Sequence, residues 1–103
     1  MERGRHMSSP LTVVAKVIAR GDAIEAVASE LMKLIEPTRQ EQGCIEYTLH
    51  SDNQEPAVFV FYETWENRSA LDRHMNSAHF RTYISAVEGM IAEKEVHLMT
   101  RVA

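Results

Sequence analysis

The chain has 103 residues, 45% hydrophobic and 25% charged, with a net charge of −4 and five histidines. That is the size of one domain with a modest core. No run of Lys and Arg offers a footprint for nucleic acid, and no apolar run approaches the roughly 18 residues of a membrane span. A single cysteine, Cys44, excludes an intrachain disulfide and suits a reducing compartment, so a cytoplasmic location is expected. Met1–Ser9 carry no hydrophobic segment of signal-peptide type, and the His6-Met7 junction reads as a cloning remnant. Residues 1–9 are therefore read as a tag or disordered N-terminus, and residues 10–103 as one domain.

Leu11–Ala19 is short, rich in β-branched residues, and bounded by Pro10 and Gly21-Asp22, which predicts a first strand covered on both faces. Asp22 and Glu25 have the spacing of a capping box at the start of a helix. Ile24, Val27, Ala28, Leu31 and Ile35 form its buried stripe. Pro37 is expected to end or kink this helix, with Thr38–Gln42 a further helical turn stopped by Gly43.

Cys44–Ser51 alternates as a half-buried strand, with Ile45, Tyr47 and Leu49 on its inner face. Asp52–Pro56 has the composition of a hairpin loop, and Ala57–Trp65 is the third strand. Phe59, Phe61, Glu63 and Trp65 share one face of it, and Val58, Val60, Tyr62 and Thr64 the other. Asn67 is placed to cap a second helix with Ala70, Leu71, His74 and Met75 inward. Ser77 is placed to cap a third, with Phe80, Ile84 and Val87 inward. Gly89 closes the helical region, and Ala92–Val102 contains the last strand, with Val96, Leu98, Thr100 and Val102 on one face.

The order is βαββαβ with a split second helical region, which predicts an α+β, ferredoxin-like sandwich. Helices cover one face of such a sheet. Apolar residues on both faces call for a second cover, and the same face of a second copy is the simplest, so a homodimer is expected.

Phe59–Tyr83 holds the only Trp, all three Phe and two of the five His, and so concentrates the candidate chemistry. On one continuous helix His74 and His79 would point about 140° apart and could not chelate one metal. A break at Asn76-Ser77 would let both approach one cavity. No cluster with metal-ligand spacing is evident, so neither a metal nor another cofactor is expected. Trp65 has the ring to wall a planar ligand, Glu63 could orient a histidine, and Tyr47 could donate to a substrate oxygen. The opposite readings are a core Trp, a solvated Glu, a Tyr at the core edge, and one histidine capping or hydrogen-bonded in the core with the other on the surface. Cys44 reads as a small buried hydrophobe.

Three pieces together resemble a family. Tyr62-Glu63-Thr64-Trp65, Ala70-Leu71-Asp72-Arg73-His74 and His79-Phe80-Arg81-Thr82-Tyr83 are similar to the motifs of the antibiotic biosynthesis monooxygenases. Gly43-Cys44 with Tyr47, and the Pro after helix one, fit the same pattern. The resemblance covers Leu11–Val102. It implies a dimeric α+β barrel and a cofactor-independent oxygenase acting on quinols or polycyclic phenols with O₂. It assigns His74 and His79 to catalysis, and Tyr47, Glu63, Trp65 and Phe80 to the substrate. Where haem-degrading members carry Asn, Trp and a haem-ligating His, this chain has Val17, His74 and Ile84, which argues against haem. Anthrone oxidases place an Asn where this chain has Phe61. The two-histidine pattern is shared with quinol monooxygenases and with enzymes degrading the phosphorylated signal autoinducer-2, for which Arg68, Arg73 or Arg81 would anchor the phosphate. The alternatives are thus an isomerase of such a metabolite and a non-catalytic small-molecule binder.

Overall fold

The structure, a computed structural model, describes residues 10–103; the reading of Met1–Ser9 as a tag or disordered segment lies outside them. The order is β1 (Leu11–Ala19), α1 (Ile24–Met32), α2 (Ile35–Arg39), β2 (Cys44–Ser51), β3 (Val58–Trp65), α3 (Arg68–Met75), α4 (Ala78–Ala86) and β4 (Ile91–Met99). The four strands form one antiparallel sheet in the order β2-β3-β1-β4. This is the α+β, ferredoxin-like arrangement expected from the element order.

Register decides which residues meet the helices. Val13, Ala15 and Val17 of β1 stand opposite Glu63, Phe61 and Phe59 of β3. Side chains alternate along a strand, so these residues share a face. Val13, Val17, Phe59, Phe61 and Trp65 are buried there against Val27, Leu31, Leu34, Leu71 and Val87 of the helical layer. On the other face Val14 pairs with Tyr62 and Lys16 with Val60, and these residues are only half-buried or exposed.

Several local expectations change. Helix α1 starts after Ala23, and Asp22 makes no cap. A turn closed by the Ala23 N–H on the Arg20 carbonyl, at 2.9 Å, leaves Asp22 one residue ahead of the cap position, which Ala23 takes. The break after α1 falls at Lys33-Leu34, ahead of Pro37. Pro37 is then the third residue of α2, within the first turn, where a missing N–H costs no intrahelical bond. In β2 the pairing passes from Cys44↔Trp65 to Glu46↔Thr64, leaving Ile45 as an extra residue that is 56% exposed rather than inward. Met75 and Ile84 do turn toward the sheet side but line an open cavity at 39% and 45% exposure, and Tyr83 is the buried residue of α4.

The two predicted caps on the split region are present. Asn67 Oδ1 accepts from the Ala70 N–H at 2.9 Å, and Ser77 Oγ accepts from the Phe80 N–H at 3.3 Å. Ser77 itself is extended, with φ −74° and ψ 158°, and separates α3 from α4.

Candidate functional site

Two local features bring the site together. The first is Gly43, with φ +90°, a conformation that favours glycine. A Cβ there would sit 2.6 Å from Ala70 Cβ, so only glycine lets the turn before β2 press against α3. That turn carries Glu41. The second is the break at Ser77, whose hydroxyl donates to the His74 carbonyl at 2.6 Å and holds the end of α3 against the start of α4.

The result is a polar cluster. Glu41 Oε2 lies 2.8 Å from His74 Nδ1 and 2.5 Å from His79 Nε2. A carboxylate only accepts, so both facing ring nitrogens carry hydrogen. His79 Nε2 also lies 3.2 Å from Ser77 Oγ. With Nδ1 protonated, neutral His74 keeps its lone pair on Nε2. Among the described residues, the only sealed side-chain polar atom without a partner is Thr38 Oγ1. Among the described residues His74 Nε2 has no hydrogen-bond partner, and the residue lines a cavity.

That cavity measures about 670 Å³ and lies between the sheet and the split helical region. Tyr47, Phe61 and Glu63 line it from β2 and β3, His74 and Leu71 from α3, and Phe80 and Tyr83 from α4. It extends further than the β2–β3 face, over Val13 of β1 and Val96 and Leu98 of β4. Around His74 the rings close in. The ring of Trp65 is 4.8 Å away between centroids, that of Phe80 5.0 Å and that of Tyr47 5.5 Å. Tyr47 also stacks on Phe61 at 4.7 Å.

Burial sets the protonation states. It pushes His74 below the usual imidazole range, against the pull of Glu41, and so favours the neutral ring. Glu63 is 4% exposed and takes one hydrogen bond, from Trp65 Nε1 to Oε1 at 2.8 Å. Among the described residues it has no cation partner, and burial raises its pKa to about 7, although the indole N–H opposes the rise. Burial, reinforced by Glu63, raises the Tyr47 phenol, which stays a donor. Burial and the charges of Glu41 and Glu63 also raise the Cys44 thiol to about 11, so it is no thiolate nucleophile.

Of the six residues singled out from sequence, Tyr47, Glu63, His74 and Phe80 line the cavity. Trp65 and His79 do not. Trp65, fully buried, backs His74 and holds Glu63 by its N–H. His79 stands on the far side of Glu41. Glu41 was not anticipated, because a Glu in a polar turn carries no signal of its contact with residues more than thirty positions away. Its place two residues before Gly43 was the available hint. The five-residue histidine spacing, which argued against a shared ligand, fails as an argument because the helix is broken. Glu41, His74 and His79 bring three potential metal-donor atoms within 4.8 Å of one another.

The profile described as antibiotic biosynthesis monooxygenase matches residues 10–86. The chain belongs to that family. It is 37% identical over 81 residues to the putative monooxygenase Rv0793 of Mycobacterium tuberculosis, covering 79% of each chain. The solved structure of Rv0793 superimposes with a TM-score of 0.86, at 31% identity, over 92% of this chain and 97% of that one. The probable quinol monooxygenase YgiN of Escherichia coli is 26% identical over 99 residues, covering 86% of this chain and 95% of its own. An uncharacterised Synechocystis protein, sll1783, is 32% identical over 82% of this chain, which spans 57% of that protein's length.

Proposed function

We propose that the protein is a monooxygenase that oxidises a quinol or polycyclic phenol with O₂, using no metal or organic cofactor in the reaction. The observation that carries this reading is the state of His74. Glu41 holds one ring nitrogen, the other has no partner among the described residues, and the ring lines a cavity that Tyr47, Phe61, Phe80 and Tyr83 also line.

His74 Nε2 takes the phenolic proton, as a neutral imidazole can near pH 7. The phenolate then passes one electron to O₂, and the two radicals join at a ring carbon as a peroxide. Cleavage of the O–O bond, with loss of the hydrogen on that carbon, leaves a carbonyl and releases the other oxygen atom as water. A phenol and O₂ thus give a quinone and water. Tyr47, held protonated, donates to the substrate oxygen, and Glu63 supplies or takes a proton within the cavity. Phe61 and Phe80 wall the ring, and Trp65 positions Glu63. His79 acts through Glu41 rather than on the substrate. Relatives named as monooxygenases, one a probable quinol monooxygenase, support the choice of reaction.

The isomerase reading needs a cation to anchor a phosphate. Arg68 reaches the cavity wall, but its Nε is bonded to Asp72 at 3.0 Å, and no other feature favours that reading. The half-covered sheet face around Val14, Val60 and Tyr62 fits a homodimer closed sheet to sheet into a barrel, which a solution mass of two chains would support.

The experiment is oxygen uptake by metal-free protein over a panel of quinols and phenols. Enzyme-dependent uptake that is lost in His74→Ala is the expected result. No uptake with any of them, or turnover unaffected by removing oxygen, would overturn the reading. Binding without turnover would leave a small-molecule binder.

A further inference from the structure

The cluster behind His74 has donors beyond what holding one ring requires. Glu41 Oε2 already bonds His74 Nδ1, yet His79 turns its Nε2 onto the same oxygen. The three donors come from the turn before β2, the last turn of α3 and the first turn of α4, each set by its own local structure. Two imidazoles and one carboxylate are a common donor set for zinc and neighbouring metals, leaving a position for water.

We propose that Glu41, His74 and His79 bind a divalent transition metal of the zinc type, on the side of His74 turned away from the cavity. Metal bonds of about 2.0–2.2 Å require donor pairs roughly 3–3.5 Å apart. The two pairs involving Glu41 stand at 2.8 and 2.5 Å, so they open slightly around an ion. The donor atoms all lie within 4.8 Å, and a short swing of the His79 ring closes any wider pair. That side chain is 25% exposed, against 3% for His74, and so has room to move. The same exposure gives an ion a path from solvent that does not cross the cavity. Nitrogen donors select zinc, cobalt, nickel or copper over magnesium and calcium.

Occupancy has a consequence for the cavity, and this part rests on the proposed role of His74 as base. A metal on Nδ1 displaces the hydrogen there. Neutral His74 then carries its one hydrogen on Nε2, facing the substrate, and has no lone pair left to accept a proton. The ion is thus an inhibitor set behind the base, and no step of the oxidation passes through it.

The test uses metal-stripped protein titrated with Zn²⁺ by calorimetry and with Co²⁺ by visible absorption. The expected result is one ion per chain and Co²⁺ bands of four- or five-coordinate intensity. His79→Ala and Glu41→Gln should each weaken binding by about a hundredfold or more. Cys44→Ser should leave it unchanged. Co²⁺ retaining the weak spectrum of the hydrated ion, or equal affinity in His79→Ala and the parent, would overturn the site. Zn²⁺ at saturation should abolish quinol-dependent oxygen uptake, and uptake that persists with the ion bound would overturn the inhibition. If the metal-free protein oxidises no quinol, the proposed reaction and the inhibition built on it both fail, while the binding measurements still decide the site.

Discussion

Glu63 in front of His74 and Glu41 behind it are both carboxylates, and they are held in opposite ways. Behind the ring, Glu41 is met by two imidazole nitrogens and keeps part of its surface in water. In front, Glu63 is almost fully buried, receives the indole N–H of Trp65 and has no cation partner among the described residues, and its pKa rises to about 7. One residue type therefore serves two purposes. Glu41 is a fixed acceptor that chooses a tautomer, and Glu63 is a group able to hold or release a proton near neutrality.

The strongest way to break this comparison is to remove the ring that divides the two sides. His74→Ala is expected to lower the rate of quinol oxidation about a hundred- to ten-thousand-fold. Oxygen uptake measures it, with circular dichroism to check the fold. Full activity would mean that the front and back of His74 have no bearing on the chemistry.

Glu63→Gln sharpens the contrast through stability. The folded state binds the Glu63 proton more tightly than the unfolded chain, whose carboxyl has the ordinary pKa of 4.5. Native stability from this group is therefore present at low pH and lost as pH rises from 4.5 through about 7. The shift corresponds to a cost on the order of 3 kcal/mol above pH 8. Glutamine keeps an acceptor for the Trp65 N–H without a charge. Urea denaturation should show the variant about 2–3 kcal/mol more stable than the parent at pH 8 and little changed at pH 4. Equal differences at both values would show that Glu63 is not a strained acid.

Glu41→Gln tests the back side by kinetics. Glu41 does not reach the cavity wall. The loss of a charge-assisted hydrogen bond should then lower kcat about tenfold to a hundredfold and leave KM nearly unchanged. A raised KM with unchanged kcat would place Glu41 in substrate binding instead. The smallest effect is expected far from both sides. Asn67→Ala removes the α3 cap and should cost about 1 kcal/mol in thermal or chemical unfolding. The uptake rate at 25 °C should not change.

The sequence was enough to read the order of elements, the hairpin, the two caps at Asn67 and Ser77, and the buried face of β3, because each is a local pattern within a few residues. Periodicity marks a face, and a Ser or Asn three residues from a free N–H marks a cap, whatever the rest of the chain does. It also carried the motif containing Glu63, Trp65, His74 and His79. Folding alone decided how these residues combine. The Gly43 turn presses on Ala70 and delivers Glu41 to His74 across 33 positions. The bulge at Ile45 sets Tyr47 opposite Glu63. The break at Ser77 turns two histidines that a continuous helix would separate onto one oxygen atom. The pKa of Glu63 likewise follows from what surrounds it, since burial and the charge of Glu41 both disfavour its ionised form.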